Sequence, residues 1–338
     1  MNLKEKQKNY SAFWNGNGTV VVNAGTEEGR QLPGSLYYET DSYLQQVCDG
    51  MDSLYLPGDT LPMIDPDLGP GSLAVYLGAE PVREKDTIWF EKPNGADLIH
   101  PISLNPRNRW WNTTLHILQK AAEVSQGSFL VPVPDLVENW DTLASLVGAE
   151  SLLIKMMQQP EWVKRKIQEI NAVYFTVYDK IHALVADNNM GGAFYAFQLW
   201  APGKVAKLQC DGSAMFSREM FDEFVIPALT EQAEWLDFSL YHLDGTQAVH
   251  HLESLLKIKR LNAVEWTPQA GIEHGTHPRW YPMYKKILDS GKNLQVLVTE
   301  KGCIDEFCRE IGTKGVFFLC LLSDEDFLFV TSTVNRYR

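Results

Sequence analysis

From about residue 128 to the end of the chain, short apolar segments alternate with amphipathic segments. The apolar segments predict strands and the segments between them predict helices. A helix between successive strands is typical of parallel βαβ units, so we expect an α/β protein. A long run of such units favours a (β/α)8 TIM-type barrel over an open sheet. The predicted strands are Ser128–Val133, Gly192–Gln198, Val205–Cys210, Ser239–His242, Leu261–Trp266, Leu294–Val298 and Gly315–Leu322.

The predicted helices begin and end at residues that favour helix termini. Pro160 suits a helix start because its missing N–H is not needed there, and Ser217 is expected to cap the helix that follows it. Gly148, Gly291 and Gly312 follow predicted helix ends. The predicted helices are Asn139–Val147, Glu150–Gln158, Pro160–Ala186, Ser217–Leu236, Thr246–Leu256, Pro278–Leu288 and Ile304–Ile311, with an acidic helix after them.

The first part of the chain is organised differently, because turn motifs such as NGNGT, LPGD, DPDLGPG and KPNG interrupt its apolar pattern. Short strands are predicted at Val20–Val22 and Thr87–Phe90, and helices over Ser42–Met51 and after Asn112. We therefore predict a single domain over residues 1–338. Residues 1–125 form its loop-rich N-terminal elaboration, and residues 126–338 form the regular barrel units.

Composition excludes several classes of function. The formal net charge of −13 argues against nucleic-acid binding, which needs a concentration of Lys and Arg. No G-x-G-x-x-G or P-loop motif follows a predicted strand, which removes the common nucleotide-binding alternatives. We expect the partner to be a small-molecule substrate, and the many aromatic residues permit a homodimer.

The chain also lacks the sequence signals of secretion and of membrane insertion. The N-terminal basic residues are not followed by an apolar stretch, and no run approaches the roughly 20 apolar residues of a membrane helix. The cysteines are odd in number and contain no C-x-x-C pair, which is typical of reduced thiols. They are Cys48, Cys210, Cys303, Cys308 and Cys320. We expect a cytoplasmic protein without membrane contact.

Polar residues gather where the predicted strands end. In barrels of this type the active site is built at the C-terminal ends of the strands, so such residues are candidates for function. They are Asp135 after SFLVPV, Gln209, Asp211 and Ser213 after VAKL, His242 and Asp244 after SLY, Glu265 and Trp266 after LNAV, and Cys320 near the end of GVFFL.

His242 and Asp244 are two residues apart in an extended segment, so their side chains point to the same side. Imidazole, carboxylate and thiolate are zinc donors, and Glu265 and Cys320 complete a candidate set of four ligands. Each has a structural alternative. Asp244 also suits a helix N-cap, Glu265 an ion pair with a nearby Lys or Arg, and Cys320 a small core residue.

Several of these segments, in this order, resemble the uroporphyrinogen decarboxylase superfamily. The resemblance covers roughly residues 128–325 and rests on GAESLLIKMMQQPEWVKRKIQ, LQCDGSAMFSREMFDEFVIPAL, the YHLDG strand end and LNAVEWTP. Its most specific part is the acidic strand end followed by a Ser-capped helix with FDEFVIP. The superfamily contains the decarboxylase, zinc-dependent methyl-corrinoid:coenzyme M methyltransferases and, more distantly, cobalamin-independent methionine synthase, all with a (β/α)8 barrel.

The resemblance implies roles for individual residues. The methyltransferase branch has a His-x-Cys pair where this chain has His242-Leu243-Asp244, and a late cysteine that Cys320 resembles. Glu265 resembles the additional glutamate ligand of the methionine synthase branch. Asp244 in place of a cysteine departs from the pattern, because a carboxylate is a harder ligand that activates a bound thiolate less.

The chain differs from a true uroporphyrinogen decarboxylase. The arginine-rich N-terminal signature that binds the many carboxylates of that substrate has no counterpart, since Arg30 is the only arginine in the first 60 residues. Asp211, in CDGS, does match an aspartate-containing strand end of the family.

Three functions follow as hypotheses. The leading one is a methyltransferase-like enzyme that moves a methyl group between a small substrate and a thiol or a corrinoid carried by a partner protein. His242 and Asp211 are its catalytic residues, and Asp244, Glu265 and Cys320 join His242 in holding zinc. The substrate contacts are Gln209, Ser213, Asp244, Trp200 and Trp266, with the Gly69–Gly71 loop beside them. The alternatives are a metal-free decarboxylase or lyase with His242 and Asp211 as acid–base groups, and a non-catalytic barrel that binds a small ligand.

Overall fold

The structure, a computed structural model, describes residues 3–25, 35–51, 54–83, 88–92, 100–137 and 139–338. Arg30 and Thr87, the first residue of one predicted strand, lie outside these ranges. In chain order the strands are β1 (Thr19–Asn23), β2 (Glu80–Arg83), β3 (Ile88–Glu91), β4 (Gly192–Phe194), β5 (Leu199–Ala201), β6 (Val205–Leu208), β7 (Phe238–Asp244), β8 (Ala263–Thr267), β9 (Asn293–Val298) and β10 (Val316–Cys320).

The helices are numbered in the same way. They are α1 (Leu3–Trp14), α2 (Ser35–Tyr38), α3 (Thr40–Gly50), α4 (Ser72–Tyr76), α5 (Arg109–Ser125), α6 (Asn139–Val147), α7 (Ala149–Gln158), α8 (Pro160–Asn189), α9 (Arg218–Phe224), α10 (Ile226–Trp235), α11 (Leu252–Leu256), α12 (Tyr281–Asp289), α13 (Ile304–Glu310) and α14 (Asp324–Asn335). Within the described part of the chain, no helix combines the length and the apolar character needed to cross a membrane.

A parallel sheet of six strands organises the molecule, in the order β1-β10-β9-β8-β7-β6. Every pairing in it is parallel, which confirms the α/β class predicted from the alternation. The first strand of the chain pairs with the last one, so the two ends of the sequence meet in the sheet. Over the described residues this sheet has six strands, and the closure of eight strands into a barrel stays a prediction.

The segment predicted as a strand at Ser128–Val133 is buried from Phe129 to Val133, but it is not a ladder strand. Pro132 and Pro134 have no N–H to donate, and a single bridge joins Leu130 to Met63. The Asn189 side chain takes the place of a neighbouring strand, since it accepts from the Val131 N–H and donates to the Val131 carbonyl, both at 2.8 Å.

The largest of the other differences concern three predicted elements. Gly192–Gln198 is not one strand, because the chain turns after Phe194 and returns as β5, forming an antiparallel hairpin. The helix predicted over Ser217–Leu236 is two helices, since Pro227 cannot donate the hydrogen bond that would continue α9. The helix predicted to begin at Thr246 begins instead at Leu252, after a 3₁₀ turn.

The two faces of the sheet are covered by different parts of the chain. The inner face carries Leu240, Ala263 and Phe317, and it packs against α1 and the β4–β5 hairpin. The outer face carries alternate residues, including Tyr241 and Phe318, and packs against the surrounding helices. The inner face is closed by aromatic side chains of α1, with the Tyr10 and Phe13 rings edge-on to the Phe317 ring at 5.5 and 5.6 Å.

Candidate functional site

Towards the C-terminal ends of the strands, the inner face changes from apolar to polar. Residues paired in register share a face, and His242 pairs with Glu265, which pairs with Gln295. Because side chains alternate along a strand, Asp244 and Thr267 lie on this face as well. Lys207 pairs with Leu240 and therefore joins them from β6.

His242 is held by a buried carboxylate on the neighbouring strand. Its Nδ1 lies 2.5 Å from Glu265 Oε2, and the other oxygen of Glu265 accepts from the Thr267 hydroxyl at 2.7 Å. The Glu265 side chain is 0% exposed, and the Phe197 ring packs against the imidazole at 4.8 Å. Burial alone would lower the pKa of His242, but the Glu265 carboxylate outweighs it and raises that pKa above its usual value. With Nδ1 engaged in this way, Nε2 is the ring atom left for a ligand.

Two carboxylates lie beside this imidazole. One ligand atom from each of Asp211, His242 and Asp244 lies within 4.8 Å of the others. Asp244 is the last residue of β7, and Asp211 begins the 3₁₀ turn Asp211–Met215 that follows β6. Burial among its neighbours raises the pKa of the Asp211 carboxyl, with Lys207 and His242 opposing the rise. The three side chains thus form a nitrogen–oxygen donor group at the carboxyl ends of two adjacent strands.

A buried lysine that the sequence analysis missed supports this group. Lys207 Nζ lies 2.9 Å from Asp135 Oδ2, and the lysine side chain is 1% exposed. Lys207 also donates to the Gln209 side-chain oxygen, and Gln209 Nε2 donates to Asp211 Oδ2 at 2.9 Å. The signal for Lys207 was present in the sequence, since it is the charged residue inside the otherwise apolar strand VAKL.

The turn that carries Asp211 is fixed from two sides. The Asp141 carboxylate, at the start of α6, accepts from the backbone N–H groups of Asp211 and Gly212 at 2.7 and 3.0 Å. Burial and the nearby Asp211 carboxylate raise the pKa of Asp141 to about 7. On the other side, His251 Nε2 lies 2.9 Å from the Ser213 carbonyl oxygen.

The predicted four-ligand metal set is not brought together. Cys320 pairs with Val298 and lies on the outer face, opposite to Glu265 and Gln295. It is 0% exposed, and burial raises the pKa of its thiol, as expected of the core residue that was the alternative interpretation. Glu265 contacts the imidazole of His242 rather than the ligand atoms of Asp211 and Asp244. Asp211, which was not in the predicted metal set, takes a place in the group.

Some of the predicted substrate-contact residues lie in the polar group, and others lie elsewhere in the structure. Gln209 and Asp244 lie in the polar group, whereas Ser213 is buried in the turn beside it. Trp200 is a core residue whose Nε1 donates to the Asn189 carbonyl at 2.9 Å and whose ring meets Tyr10. Trp266 lies on the outer face, with its ring 4.9 Å from the Trp280 ring.

The helix-cap interpretation of Asp244 is wrong, because the next helix begins at Leu252 and Asp244 does not cap it. The Gly69–Gly71 loop contributes indirectly. The N–H groups of Gly71 and Ser72 donate to the Asp135 carbonyl at 3.2 and 3.0 Å, which fixes the partner of Lys207.

A cleft opens next to the polar group, at the carboxyl ends of β1 and β10. Its volume is about 740 Å³, and its lining includes Asn23, Tyr43, Met63, Asp65, Tyr195 and Asp324. The tip of the β4–β5 hairpin joins the two regions, since Tyr195 lines the cleft and Phe197 packs on His242.

Comparison with known protein families and with curated proteins finds no family model and no protein that matches this chain. The chemistry of the site therefore rests on its geometry. A fixed imidazole and two adjacent carboxylates can bind a divalent metal ion. Together with the buried ammonium group of Lys207, they can also hold a charged substrate.

Proposed function

We propose that the chain is a metal-dependent, methyltransferase-like enzyme of the uroporphyrinogen decarboxylase superfamily, with its active site at Asp211, His242 and Asp244. The observation that carries this proposal is the convergence of these three ligand atoms within 4.8 Å of one another, beside an imidazole whose Nδ1 is engaged by Glu265. A carboxylate–histidine pair of this kind is typical of histidines that bind metals, because it fixes the ring and increases the basicity of the other nitrogen.

The donor set fits a zinc ion. His242 Nε2 and one oxygen from each of Asp211 and Asp244 give three ligands, and a fourth position is left for a substrate, as in catalytic zinc sites. When bound, zinc would act as a Lewis acid and favour the thiolate form of a thiol acceptor. The absence of a thiolate from this set distinguishes it from the His-x-Cys pattern of the methyltransferase branch.

The surrounding residues would position the ligands and control charge. Gln209 holds Asp211 through one carboxylate oxygen. Lys207, paired with Asp135, is a positive charge that opposes the rise in the pKa of Asp211 caused by burial. It thereby favours the carboxylate form of Asp211, which is the form that binds a cation.

The barrel and the partner protein belong to the same proposal. Pairing of β1 with β10 supports closure, because the first and last strands of a barrel must meet. The segments around Met63 and Leu130, which form an isolated parallel bridge, would supply the remaining strands in irregular form.

The resemblance to the methyltransferase branch supports a corrinoid protein as the partner that carries the methyl group.

The test is methyl transfer from methylcobalamin to 2-mercaptoethanol, followed by the absorbance of the corrinoid, with zinc-loaded and chelator-treated protein. We expect activity that requires zinc and that falls by at least about 100-fold in His242→Ala. His116→Ala, an exposed histidine on α5, is the matched control and should retain activity. Equal activity with and without zinc, or equal activity of the two variants, would overturn the proposal.

A second candidate is favoured by the buried ammonium group of Lys207 and the raised pKa of His242. Two positive groups on one face suit a metal-free decarboxylase or lyase that acts on a small carboxylate, with His242 as the proton donor. Turnover of a carboxylate by fully chelated protein, lost in His242→Ala, would favour this candidate over methyl transfer.

A further inference from the structure

The cleft at the ends of β1 and β10 has the size of a small-molecule site. Its volume of about 740 Å³ lies within the range of roughly 300–1,000 Å³ usual for ligand pockets. It lies at the carboxyl ends of the strands, as the polar group does. The hairpin tip that carries Tyr195 into the cleft also places Phe197 against His242.

The walls of the cleft combine aromatic rings with polarizable and apolar side chains. Tyr43 and Tyr195 supply the rings, and Met51, Met63 and Val47 supply the apolar surface. The Tyr43 hydroxyl accepts from the Asp65 N–H at 3.1 Å, which fixes that ring in the wall. Aromatic faces and thioethers bind methyl groups on a positively charged nitrogen well, because the negative ring face attracts the cation.

The charged side chains that line the cleft are acidic. Asp65 and Asp324 are carboxylates, and among the described lining residues there is no lysine, arginine or histidine. The N-terminus of α14 also borders the cleft, but the partial positive charge of this helix end is already balanced. Ser323 accepts from the Asp326 N–H through its hydroxyl and from the Phe327 N–H through its carbonyl. Three acidic residues occupy the first turn of this helix, so the helix end does not favour an anion.

We propose that this cleft binds a small organic cation, of the class that carries methyl groups on a quaternary nitrogen. The tyrosine rings contact the methyl groups, and the two carboxylates balance the charge. This inference concerns the substrate class of the enzyme proposed above, and it rests on that proposed function for the role of the cation in turnover. Binding of the cation by the cleft can be measured independently of that function.

Binding is tested by calorimetric titration of the metal-free protein with choline and with 3,3-dimethylbutan-1-ol, its neutral isostere. We expect saturable binding of choline and at least about tenfold weaker binding of the alcohol. Tyr195→Leu and Asp324→Asn should each weaken choline binding by about tenfold, whereas Tyr195→Phe should retain it because the aromatic face remains.

Glu325→Gln is the matched control, since Glu325 lies on the same helix and does not line the cleft. His242→Ala should bind choline as the wild type does, so a failure of the metal-dependent function leaves this result unaffected. The inference is overturned if choline and the alcohol bind equally, if choline does not bind, or if Tyr195→Leu and Asp324→Asn both match the control.

Discussion

At the scale of single residues, the site depends on two buried charge pairs, Lys207–Asp135 and His242–Glu265. In each pair one partner is almost fully enclosed, with the Lys207 side chain 1% exposed and Glu265 0% exposed. Removing one partner of a buried pair leaves the other charge without compensation, which costs more than the pair itself contributes. The Lys207–Asp135 pair can therefore be tested by the free energy of unfolding, and the His242–Glu265 pair by the pKa of the histidine.

Lys207→Met should lower the free energy of unfolding by about 3–5 kcal/mol, because Asp135 would remain buried without its cation. Urea denaturation followed by circular dichroism measures this change. Lys286→Met is the matched control, since Lys286 forms an exposed pair with Glu253 and should cost no more than about 1 kcal/mol. A loss in Lys207→Met as small as in the control would show that Asp135 is solvated rather than paired.

Glu265→Gln should lower the pKa of His242, because burial opposes the charged imidazole and the carboxylate that outweighs burial would be gone. At a given pH near neutrality, a smaller fraction of His242 would then be protonated. NMR titration of the histidine ring protons measures the change. Glu300→Gln is the control, because its partner is His274, with Nε2 at 2.7 Å. An unchanged His242 titration in Glu265→Gln would contradict the role given to Glu265.

At the level of secondary-structure elements, the turn Asp211–Met215 connects α6 to the group formed by Asp211, His242 and Asp244. Gly212 packs against the Trp140 ring so closely that an added Cβ would overlap it. Gly212→Ala should therefore displace the turn and weaken zinc binding by about 10–100-fold, the effect typical of losing a group that positions a ligand. Isothermal titration with zinc measures this, and Gly302→Ala, where a Cβ meets no atom closer than 3.9 Å, should bind as the wild type does. Equal affinity in both variants would show that α6 does not position Asp211.

The elements themselves were predictable where periodicity and breaker residues agree. Local sequence predicts both ends of α6, the start of α8 at Pro160 and the helix cap at Ser217. The cap is present, since Ser217 Oγ accepts from the Met220 N–H at 3.3 Å. The segment at Ser128–Val133 was mistaken for a ladder strand, because its apolar run conceals the missing N–H of Pro132. Apolar content predicts burial, whereas pairing depends on donors that a proline removes.

The site was predictable where it depends on local spacing. His242 and Asp244 share a face because they are two residues apart. Cys320 could not be assigned in this way, since its face depends on the register of β10 against β9. Lys207 is conspicuous in VAKL, but its pairing with Asp135 could not be predicted, because the two residues are 72 positions apart and no local pattern joins them.

For the whole molecule, the N-terminal elements extend and cover the sheet that the C-terminal half builds. β1 pairs with β10, and α1 covers the inner face beneath the site. Phe13→Ala should therefore lower the free energy of unfolding by about 3–5 kcal/mol, because Phe13 is 0% exposed and its loss leaves a cavity. Phe329→Ala, at an aromatic residue that is 47% exposed, should change stability far less in the same urea titration. Equal losses would show that α1 does not stabilise the sheet.

Anomalous X-ray diffraction from crystals grown with zinc determines whether Asp211, His242 and Asp244 bind one divalent metal ion. We expect one anomalous peak bonded to His242 Nε2 and to a carboxylate oxygen of each aspartate, at about 2.0–2.2 Å. Glu265 should remain on Nδ1, and Cys320 should take no part. No peak among these three side chains, or a peak bonded to Cys320, would show that they do not form the metal site.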